Sequence, residues 1–355
     1  MKRMLPFLLL TIFLFVACTT PKEKGGRETK QGEPPKATQN VEIIAEQLQA
    51  PWSIEKSDNT FYLTERPGNI VRITEGVVER QQVNLKKKLS AAPEAGLLGF
   101  VLALDFTATG IAYAYYTYEE GSEQFNRIVT LTLADNKWQE TDLLIDRIQS
   151  GTYHHGGRLK IGPDSKLYAT VGDATEPSLA QNLDALEGKI LRLNMDGSIP
   201  GDNPFPHSYV YSYGHRNPQG LAWTTDGTMF ASEHGNAAND EINIIEKGKN
   251  YGWPFIEGTD KRQGMVTSLF TSGATKTWAP SGITMADHQL YVAALRGTAV
   301  LTFDMEKHKQ DVLLSEFGRI RDVFLDDDYL YFISNNTDGR GNPQPHDDKL
   351  YRTPL

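Results

Sequence analysis

The segment Tyr153-His154-His155-Gly156-Gly157 combines residues that could transfer a proton with residues that admit a ligand. Histidine titrates near neutral pH, so either imidazole could take a proton from a substrate hydroxyl group. The two glycines lack side chains and therefore permit a ligand to approach the backbone closely. Histidines in loops are more often surface or packing residues than bases, so this segment alone leaves both interpretations open.

Two later segments are rich in oxygen-bearing side chains. They are Gly214-His215-Arg216-Asn217-Pro218-Gln219-Gly220 and, one strand further on, Ser232-Glu233-His234-Gly235-Asn236 with Asn239-Asp240-Glu241-Ile242-Asn243. Carboxylate, amide and carbonyl oxygens are ligands for a hard cation such as calcium. The spacing differs from that of an EF-hand loop, so a hydrogen-bonded loop without metal is the alternative.

Three arginines form a third candidate set. Arg319 and Arg321 are two positions apart and would share one face of a strand, while Arg296 follows an earlier apolar segment. Guanidinium groups donate hydrogen bonds in pairs, which suits carboxylates or phosphates. The alternative is a solvated strand face on which Asp322 is the local partner.

Composition and missing motifs exclude several classes of function. The formal net charge is -9, whereas nucleic-acid-binding domains normally carry a basic surplus. No segment matches GxGxxG, a P-loop or HExxH, so nicotinamide, nucleoside triphosphate and zincin chemistry lack support. The only cysteine is Cys18, which leaves the body of the chain without a thiol nucleophile if Cys18 is used elsewhere.

The N-terminus has the layout of a signal peptide. Lys2 and Arg3 precede an apolar run over residues 4–17 that is too short to span a membrane, and the sequence ending at Cys18 resembles the lipobox of bacterial lipoproteins. We therefore expect a signal peptide over 1–17, a lipid anchor at Cys18, and export to the cell surface or periplasm. A plain signal peptide with a bystander cysteine is the alternative. Residues 18–40 lack large apolar side chains and predict a flexible linker.

A turn-strand signature recurs along the rest of the chain. Each copy has a polar turn, an apolar residue, an aromatic residue and then small or β-branched residues. The aromatic residues are Tyr62, Tyr113, Tyr168, Phe230, Tyr291 and Tyr331. They lie roughly 40 to 62 residues apart, close to the period of propeller blades. The pattern predicts one all-β domain over 41–355, a six-bladed β-propeller, rather than a sandwich with accidental turn similarity.

Taken together, these segments resemble the glucose/sorbosone dehydrogenase family, soluble quinoproteins that carry pyrroloquinoline quinone (PQQ) on a six-bladed propeller. The likeness spans most of the chain after residue 40. It rests on Ala50-Pro51-Trp52, Thr64-Glu65-Arg66-Pro67-Gly68, the segment over 94–100, HHGGRL from His154, GHRNPQGL from Gly214, SEHG from Ser232, and DEINIIEKGKNYGWP ending at Pro254. The ordered series of motifs is specific, although each one alone is weak.

The resemblance implies a role for each matching residue. His154 falls on the catalytic base, and His155 on a variable position. The implied quinone contacts are Glu94, Arg216, Asn217, Arg296, Arg319 and Arg321, of which Arg216 would also stabilise charge during hydride transfer. The implied calcium ligands are the carbonyls of Gly235 and Asn236 beside the quinone, and Glu241 with the Tyr251 carbonyl at a structural site. Trp278 either stacks on the quinone or belongs to the core.

The implied activity is PQQ- and calcium-dependent oxidation of aldoses at the anomeric carbon to lactones, with electrons passed to an acceptor other than oxygen. The sequence departs from the family at Glu94, Tyr153 and Asn236, where the best-known members have glutamine, aspartate and proline. These changes bear first on the choice of sugar and second on cofactor affinity. A non-enzymatic surface propeller that binds carbohydrate or protein, and a calcium-dependent lactonase, are the alternatives. We expect a monomer or a homodimer.

Overall fold

A computed structural model describes residues 40–355, which belong to one compact unit. The predicted signal peptide, the lipid anchor at Cys18 and nearly all of the predicted linker lie outside the described residues. Within 40–355, no helix is long and apolar enough to cross a membrane. The predicted all-β class is confirmed, because strands dominate and the helices are short.

The strands, in chain order, are β1 (Glu42–Ala45), β2 (Pro51–Ser57), β3 (Thr60–Glu65), β4 (Asn69–Thr74), β5 (Val77–Asn84), β6 (Leu97–Leu102), β7 (Ile111–Glu120), β8 (Glu123–Ala134), β9 (Lys137–Ser150), β10 (Leu159–Ile161), β11 (Leu167–Val171), β12 (Lys189–Leu193), β13 (Val210–Tyr213), β14 (Pro218–Trp223), β15 (Met229–Glu233), β16 (Glu241–Ile245), β17 (Phe270–Thr271), β18 (Pro280–Ala286), β19 (Gln289–Ala294), β20 (Ala299–Asp304), β21 (Lys309–Ser315), β22 (Ile320–Asp326), β23 (Tyr329–Ser334) and β24 (Leu350–Pro354). The helices are α1 (Phe106–Thr109) and a 3-10 turn over Pro177–Gln181.

The strands form five sheets. Four of them have four strands each, in the orders β10-β11-β12-β13, β14-β15-β16-β17, β18-β19-β20-β21 and β1-β24-β23-β22. The fifth has eight strands in the order β2-β3-β4-β5-β9-β8-β7-β6. Its two antiparallel halves are joined only where β5 and β9 run parallel, with Val83 opposite Trp138 and Asn84 opposite Gln139.

The sheets follow one another around a ring. The strands β2, β6, β10, β14, β18 and β22 each contact the next one in this order, and β22 contacts β2 again. The last sheet is completed by β1, which pairs antiparallel with β24 near the C-terminus. The beginning and the end of the described chain are therefore held in the same sheet.

The repeated aromatic residues occupy equivalent places in this ring. They lie in β3, β7, β11, β15, β19 and β23, which is the second strand of each four-stranded group. All six side chains are buried and pack within hydrophobic clusters of the core. The signature in the sequence is therefore the mark of one structural strand, whose aromatic residue fills the space between sheets.

The topology places loops from every group at one end of the ring. In an antiparallel group, the start of the first strand and the end of the second strand lie at the same edge. The segments that contain Glu94, His154 and Arg216 precede β6, β10 and β14, and those that contain Asn236 and Arg296 follow β15 and β19. Residues far apart in the sequence therefore meet around one opening.

Candidate active site

A cleft of about 660 Å³ opens at this end of the ring. It collects the predicted base and the implied quinone contacts, apart from Trp278. These lining residues are Glu94, His154, Arg216, Asn217, Arg296, Arg319 and Arg321, together with Gly235 and Asn236 of the first predicted calcium site. Trp52 also lines the cleft.

His154 is held by a carboxylate. Its Nδ1 lies 2.7 Å from Oδ1 of Asp173, whose side chain is almost completely buried. The side chain of His154 is 17% exposed and its backbone has φ 65°, a left-handed conformation that is uncommon for a residue with a side chain. With Nδ1–H donating to Asp173, the lone pair of Nε2 is left for a ligand in the cleft.

Asp173 is fixed by three further contacts. Its Oδ2 accepts a hydrogen bond from the Trp253 indole at 2.8 Å, and its Oδ1 accepts one from the Thr175 amide at 2.9 Å. The amide of Asp173 donates to the carbonyl of Arg216 at 2.8 Å. This network orients the His154 ring and ties the base to the segment that contains Arg216.

His155 has a structural role. Its side chain is buried, with Nδ1 2.6 Å from the Ser150 hydroxyl and Nε2 3.0 Å from the Pro93 carbonyl. Burial lowers the pKa of this imidazole, an effect that the Pro93 carbonyl and Glu94 partly oppose. Because both ring nitrogens are occupied, His154 is the residue of this pair that is available for chemistry.

Glu94 is ionised and paired with a cation. Its Oε1 lies 2.5 Å from Nη1 of Arg340, and its Oε2 accepts a hydrogen bond from the His154 amide at 3.2 Å. Burial favours the protonated carboxyl, but Arg340 outweighs it and lowers the pKa of Glu94 to about 2. Glu94 therefore supports the His154 backbone from one side of the cleft.

Arg216 and Asn217 lie where the loop enters β14. The Arg216 amide donates to Glu233, and its guanidinium stands 5.4 Å from the centre of the Trp253 ring. Burial lowers the pKa of Arg216, and Asp173 and Glu233 oppose this. The Asn217 Oδ1 accepts the Gly156 amide at 3.1 Å, which links this loop to the loop of His154.

Arg319 and Arg321 both face the cleft but differ in their partners. Arg319 binds Oδ2 of Asp338 through Nε at 3.1 Å and Nη2 at 2.8 Å. Arg321 forms hydrogen bonds to neutral side chains, those of Gln219, Ser281 and Asn335. Burial lowers the pKa of Arg321 to about 9, although Asp338 opposes this. The alternative that Asp322 pairs with them is wrong, because Asp322 binds Arg158 at 2.9 Å.

Arg296 and Trp278 differ in their relation to the cleft, since only Arg296 lines it. Arg296 is exposed at the rim, directly after β19. Trp278 packs edge-on against Phe303 at 5.3 Å and is outside the lining, which agrees with the core alternative for this residue.

Several buried polar atoms at the cleft have no hydrogen-bond partner among the described residues. They are Nε of Arg216, Nε of Arg321 and Nε2 of His234. Unsatisfied buried donors are costly, and each calls for an explanation such as an absent ligand. Two of the three groups are guanidinium cations, which fit a ligand that carries several carboxylates.

The second predicted calcium site lies beside the cleft. Glu241 and Tyr251 line a small pocket together with Glu233 and Glu257. Glu241 accepts the Gly258 amide at 2.6 Å, and burial together with the charge of Glu233 raises its pKa to about 8. Such a crowded carboxylate is stabilised by a nearby cation.

Three residues of the site are not identified by sequence reasoning. Asp173 is the last residue of the turn-strand copy that contains Tyr168, but nothing in the sequence indicates that its carboxylate turns toward His154. Arg340 lies in the polar segment between β23 and β24, without a motif. His234 is part of the recognised SEHG segment, and its position in the cleft depends on the fold.

The class of protein follows from comparison with known families. The model of the glucose/sorbosone dehydrogenase family matches residues 48–351, so the chain belongs to this family of oxidoreductases. The resemblance inferred from the sequence motifs is confirmed.

Individual relatives agree with this assignment. The structure of the PQQ-bound form of aldose sugar dehydrogenase from Streptomyces coelicolor superposes with a TM-score of 0.83 at 33% identity, covering 90% of this chain and 99% of that one. Quinoprotein glucose dehydrogenase B of Acinetobacter calcoaceticus is 36% identical over 254 residues, which cover 62% of this chain and 53% of that protein. Aldose sugar dehydrogenase YliI of Escherichia coli is 29% identical over 347 residues, which cover 85% and 92%.

Proposed function

We propose that this chain is a PQQ- and calcium-dependent aldose dehydrogenase that oxidises the anomeric carbon of a sugar to a lactone and passes the electrons to an acceptor other than oxygen. The observation that carries the proposal is the pairing of His154 with Asp173 at the edge of a cleft lined by Arg216, Arg319 and Arg321. Family membership and the PQQ-bound structural relative support it.

In the proposed reaction, His154 would remove a proton from the sugar and Arg216 would stabilise negative charge. Nε2 of His154 takes the proton of the anomeric hydroxyl, while Asp173 holds the imidazole in the tautomer that can accept it. Bound PQQ would supply an electrophilic carbonyl that accepts the hydride of the anomeric C–H bond. Arg216 would stabilise the negative charge that this transfer creates.

The arginines fit the carboxylates of the quinone. Arg321 and Arg216 each keep a buried Nε without a partner among the described residues, which a carboxylate oxygen would satisfy. Arg319 forms an ion pair with Asp338, and Arg296 lies at the rim of the cleft. Both arginines would add positive charge around the same ligand.

Calcium would be held by oxygen atoms of this chain. The carbonyls of Gly235 and Asn236 accept no hydrogen bond from the described residues, and Gly235 and Asn236 line the cleft. Glu241 and the Tyr251 carbonyl would hold a second, structural ion in the adjacent pocket. Both sets contain the hard oxygen ligands that calcium prefers.

The decisive experiment is an acceptor assay with the purified protein. Supplied with PQQ and calcium, it is expected to reduce an artificial electron acceptor in the presence of aldoses. His154→Ala should abolish this activity and still bind PQQ, whereas His288→Ala, a change at an exposed histidine outside the cleft, should have no effect. If a broad panel of sugars gives no reduction, the enzyme proposal fails and a binding protein or a lactonase becomes the better explanation.

The arginine set is tested by a PQQ titration. Replacement of Arg319 and Arg321 together by alanine should weaken PQQ binding markedly, because two cationic partners are lost. Unchanged affinity would mean that the cofactor binds elsewhere.

We also propose six blades for the ring. The eight-stranded sheet has two antiparallel halves joined by a two-residue parallel pairing, and each half has its own ring-forming strand, β2 or β6. Counting the halves separately makes six groups of four strands, each with one repeated aromatic residue.

We propose further that the protein is exported and anchored through lipid at Cys18. The proposal rests on the apolar run before Cys18 and the polar segment after it. Mass spectrometry of the mature N-terminus is expected to find an acylated Cys18. An unmodified cysteine there would contradict the anchor.

A further inference from the structure

Arg340 reaches Glu94 from another part of the ring. Arg340 lies between β23 and β24, whereas Glu94 precedes β6, and both line the cleft. Nη1 of Arg340 lies 2.5 Å from Oε1 of Glu94, and the guanidinium stands 5.4 Å from the centre of the Tyr153 ring. These contacts join the Arg340 loop to the loop that presents His154.

Glu94 places a negative charge in a cleft that is proposed to bind an anion. Its carboxylate is ionised and faces the same space as Arg216 and Arg321. An uncompensated negative charge would repel the carboxylates of PQQ. It would also offset part of the attraction between the arginines and those carboxylates. The Glu94 side chain is 24% exposed and that of Arg340 is 44% exposed, so solvent screens the pair only in part, and loss of Arg340 would leave a negative charge facing the cleft.

Arg340 supplies the positive charge that compensates Glu94. It contacts Oε1 of Glu94, which leaves Oε2 to accept the His154 amide at 3.2 Å. The ring of Tyr153 lies beside the guanidinium, within range of a cation–π contact. Only Arg340 contacts Glu94 through an ion pair within the described residues.

We propose that Arg340 is a positioning residue for the cofactor, which neutralises Glu94 so that the arginine-lined cleft can bind a polyanion and so that Glu94 can hold the His154 loop. This inference rests on the proposed function. The inference makes Glu94, Tyr153 and Arg340 one interacting group. Two of its members, Glu94 and Tyr153, are departures from the family pattern.

The test is a double-mutant cycle on PQQ affinity, measured by titration calorimetry on the purified protein with calcium present. Arg340→Ala should weaken binding about 10-fold or more, because Glu94 is left without its cation. Glu94→Gln should bind PQQ at least as well as the wild type. The double variant should recover most of the affinity that Arg340→Ala loses, since the repelling charge is absent.

A matched control is available elsewhere on the surface. Arg147 also pairs with a carboxylate, Glu120, and also lies over an aromatic ring, that of Phe125 at 4.3 Å, but it is outside the cleft. Arg147→Ala should leave PQQ affinity unchanged. Circular dichroism of each variant checks that the fold is retained.

The possible outcomes separate the two proposals. Wild-type affinity in Arg340→Ala would overturn the inference alone. A double variant as weak as Arg340→Ala would also overturn it, because Arg340 would then act without regard to Glu94. Failure of the wild type to bind PQQ would overturn the proposed function and this inference with it.

Discussion

Asp173 is the residue on which the proposed base depends. It contacts His154 Nδ1 through one oxygen and the Trp253 indole through the other, so the orientation of its carboxylate is defined. A neutral amide in its place would allow the imidazole to adopt the other tautomer, in which Nε2 carries the proton. The role of Asp173 is therefore to position His154.

We expect Asp173→Asn to lower kcat for aldose oxidation by roughly 10²- to 10⁴-fold, the usual contribution of a positioned base. KM for the sugar and PQQ affinity should change little, because Asp173 is buried beneath His154 and is not among the residues that line the cleft. Steady-state kinetics with saturating PQQ separate the two parameters. A rise in KM at constant kcat would contradict the positioning role.

Glu94 predicts a pH dependence of stability in the protein without cofactor. The pKa of Glu94 is lower in the folded state than its ordinary value of 4.5, mainly because Arg340 outweighs the effect of burial. The stabilisation from a depressed carboxyl pKa is present above the ordinary value and is lost as the pH falls toward about 2. The titratable groups whose charge acts on Glu94 or is affected by it are Arg340, His234, Arg66, Arg216, Arg321 and His155.

The wild type should therefore lose more unfolding free energy than Glu94→Gln between pH 5 and pH 3, by about 1–2 kcal/mol after solvent screening of the partly exposed Arg340. Urea denaturation of both proteins at each pH measures the difference. Parallel pH profiles would show that the Glu94–Arg340 pair adds nothing to the stability of the fold.

At the scale of strands and loops, the geometry of the site depends on how closely β6 and the His154 loop approach. A side chain on Gly99 of β6 would place its Cβ 2.0 Å from the Gly157 carbonyl oxygen and 2.9 Å from the Leu159 amide. Only hydrogen at this position permits the contact. The spacing between β6 and β10 therefore sets where the loop presents His154.

Gly99→Ala should force the two strands apart and lower the unfolding free energy by about 1–3 kcal/mol, the range for overpacking. Because the shift moves the His154 loop, kcat should fall as well. Gly201→Ala is the matched control, since a Cβ there meets nothing within 4 Å. Equal stability of both variants would argue against close contact at Gly99.

At the scale of the whole molecule, the ring is closed by β1. It pairs with β24 through Glu42 opposite Arg352, Ile43 opposite Tyr351 and Ala45 opposite Leu350. Ala45 and Leu48 also pack in a cluster with Tyr331 and Ile333 of β23. Closure therefore buries apolar surface and satisfies backbone groups that an open edge would leave unpaired.

A protein that begins at Leu48 should unfold at a lower temperature than one that begins at Asn40, by on the order of 5 °C, because it loses β1 and its share of the core. Differential scanning calorimetry of the two proteins measures the effect. Identical Tm values would show that β1 contributes nothing to ring closure.

Much of this molecule was accessible from its sequence. Local composition and periodicity determine the all-β class, because strands and tight turns have short-range signals that repeat with each aromatic residue from Tyr62 to Tyr331. The ordered motifs identify the family, and they point to His154 and to the arginines of the cleft. Each of these features can be recognised within one continuous stretch of sequence, without knowledge of which segments lie beside it in the fold.

The tertiary structure alone decided which side chains face one another. His154 precedes β10 and Asp173 follows β11, and Glu94 and Arg340 lie in loops next to different sheets, so no spacing along the chain predicts either contact. The structure also shows why His154 rather than His155 is available as the base. His155 is buried, and its two ring nitrogens contact Ser150 and a carbonyl that is distant in the sequence. Ion pairs and hydrogen bonds act over a few ångströms, and only the folded ring brings these groups within that range.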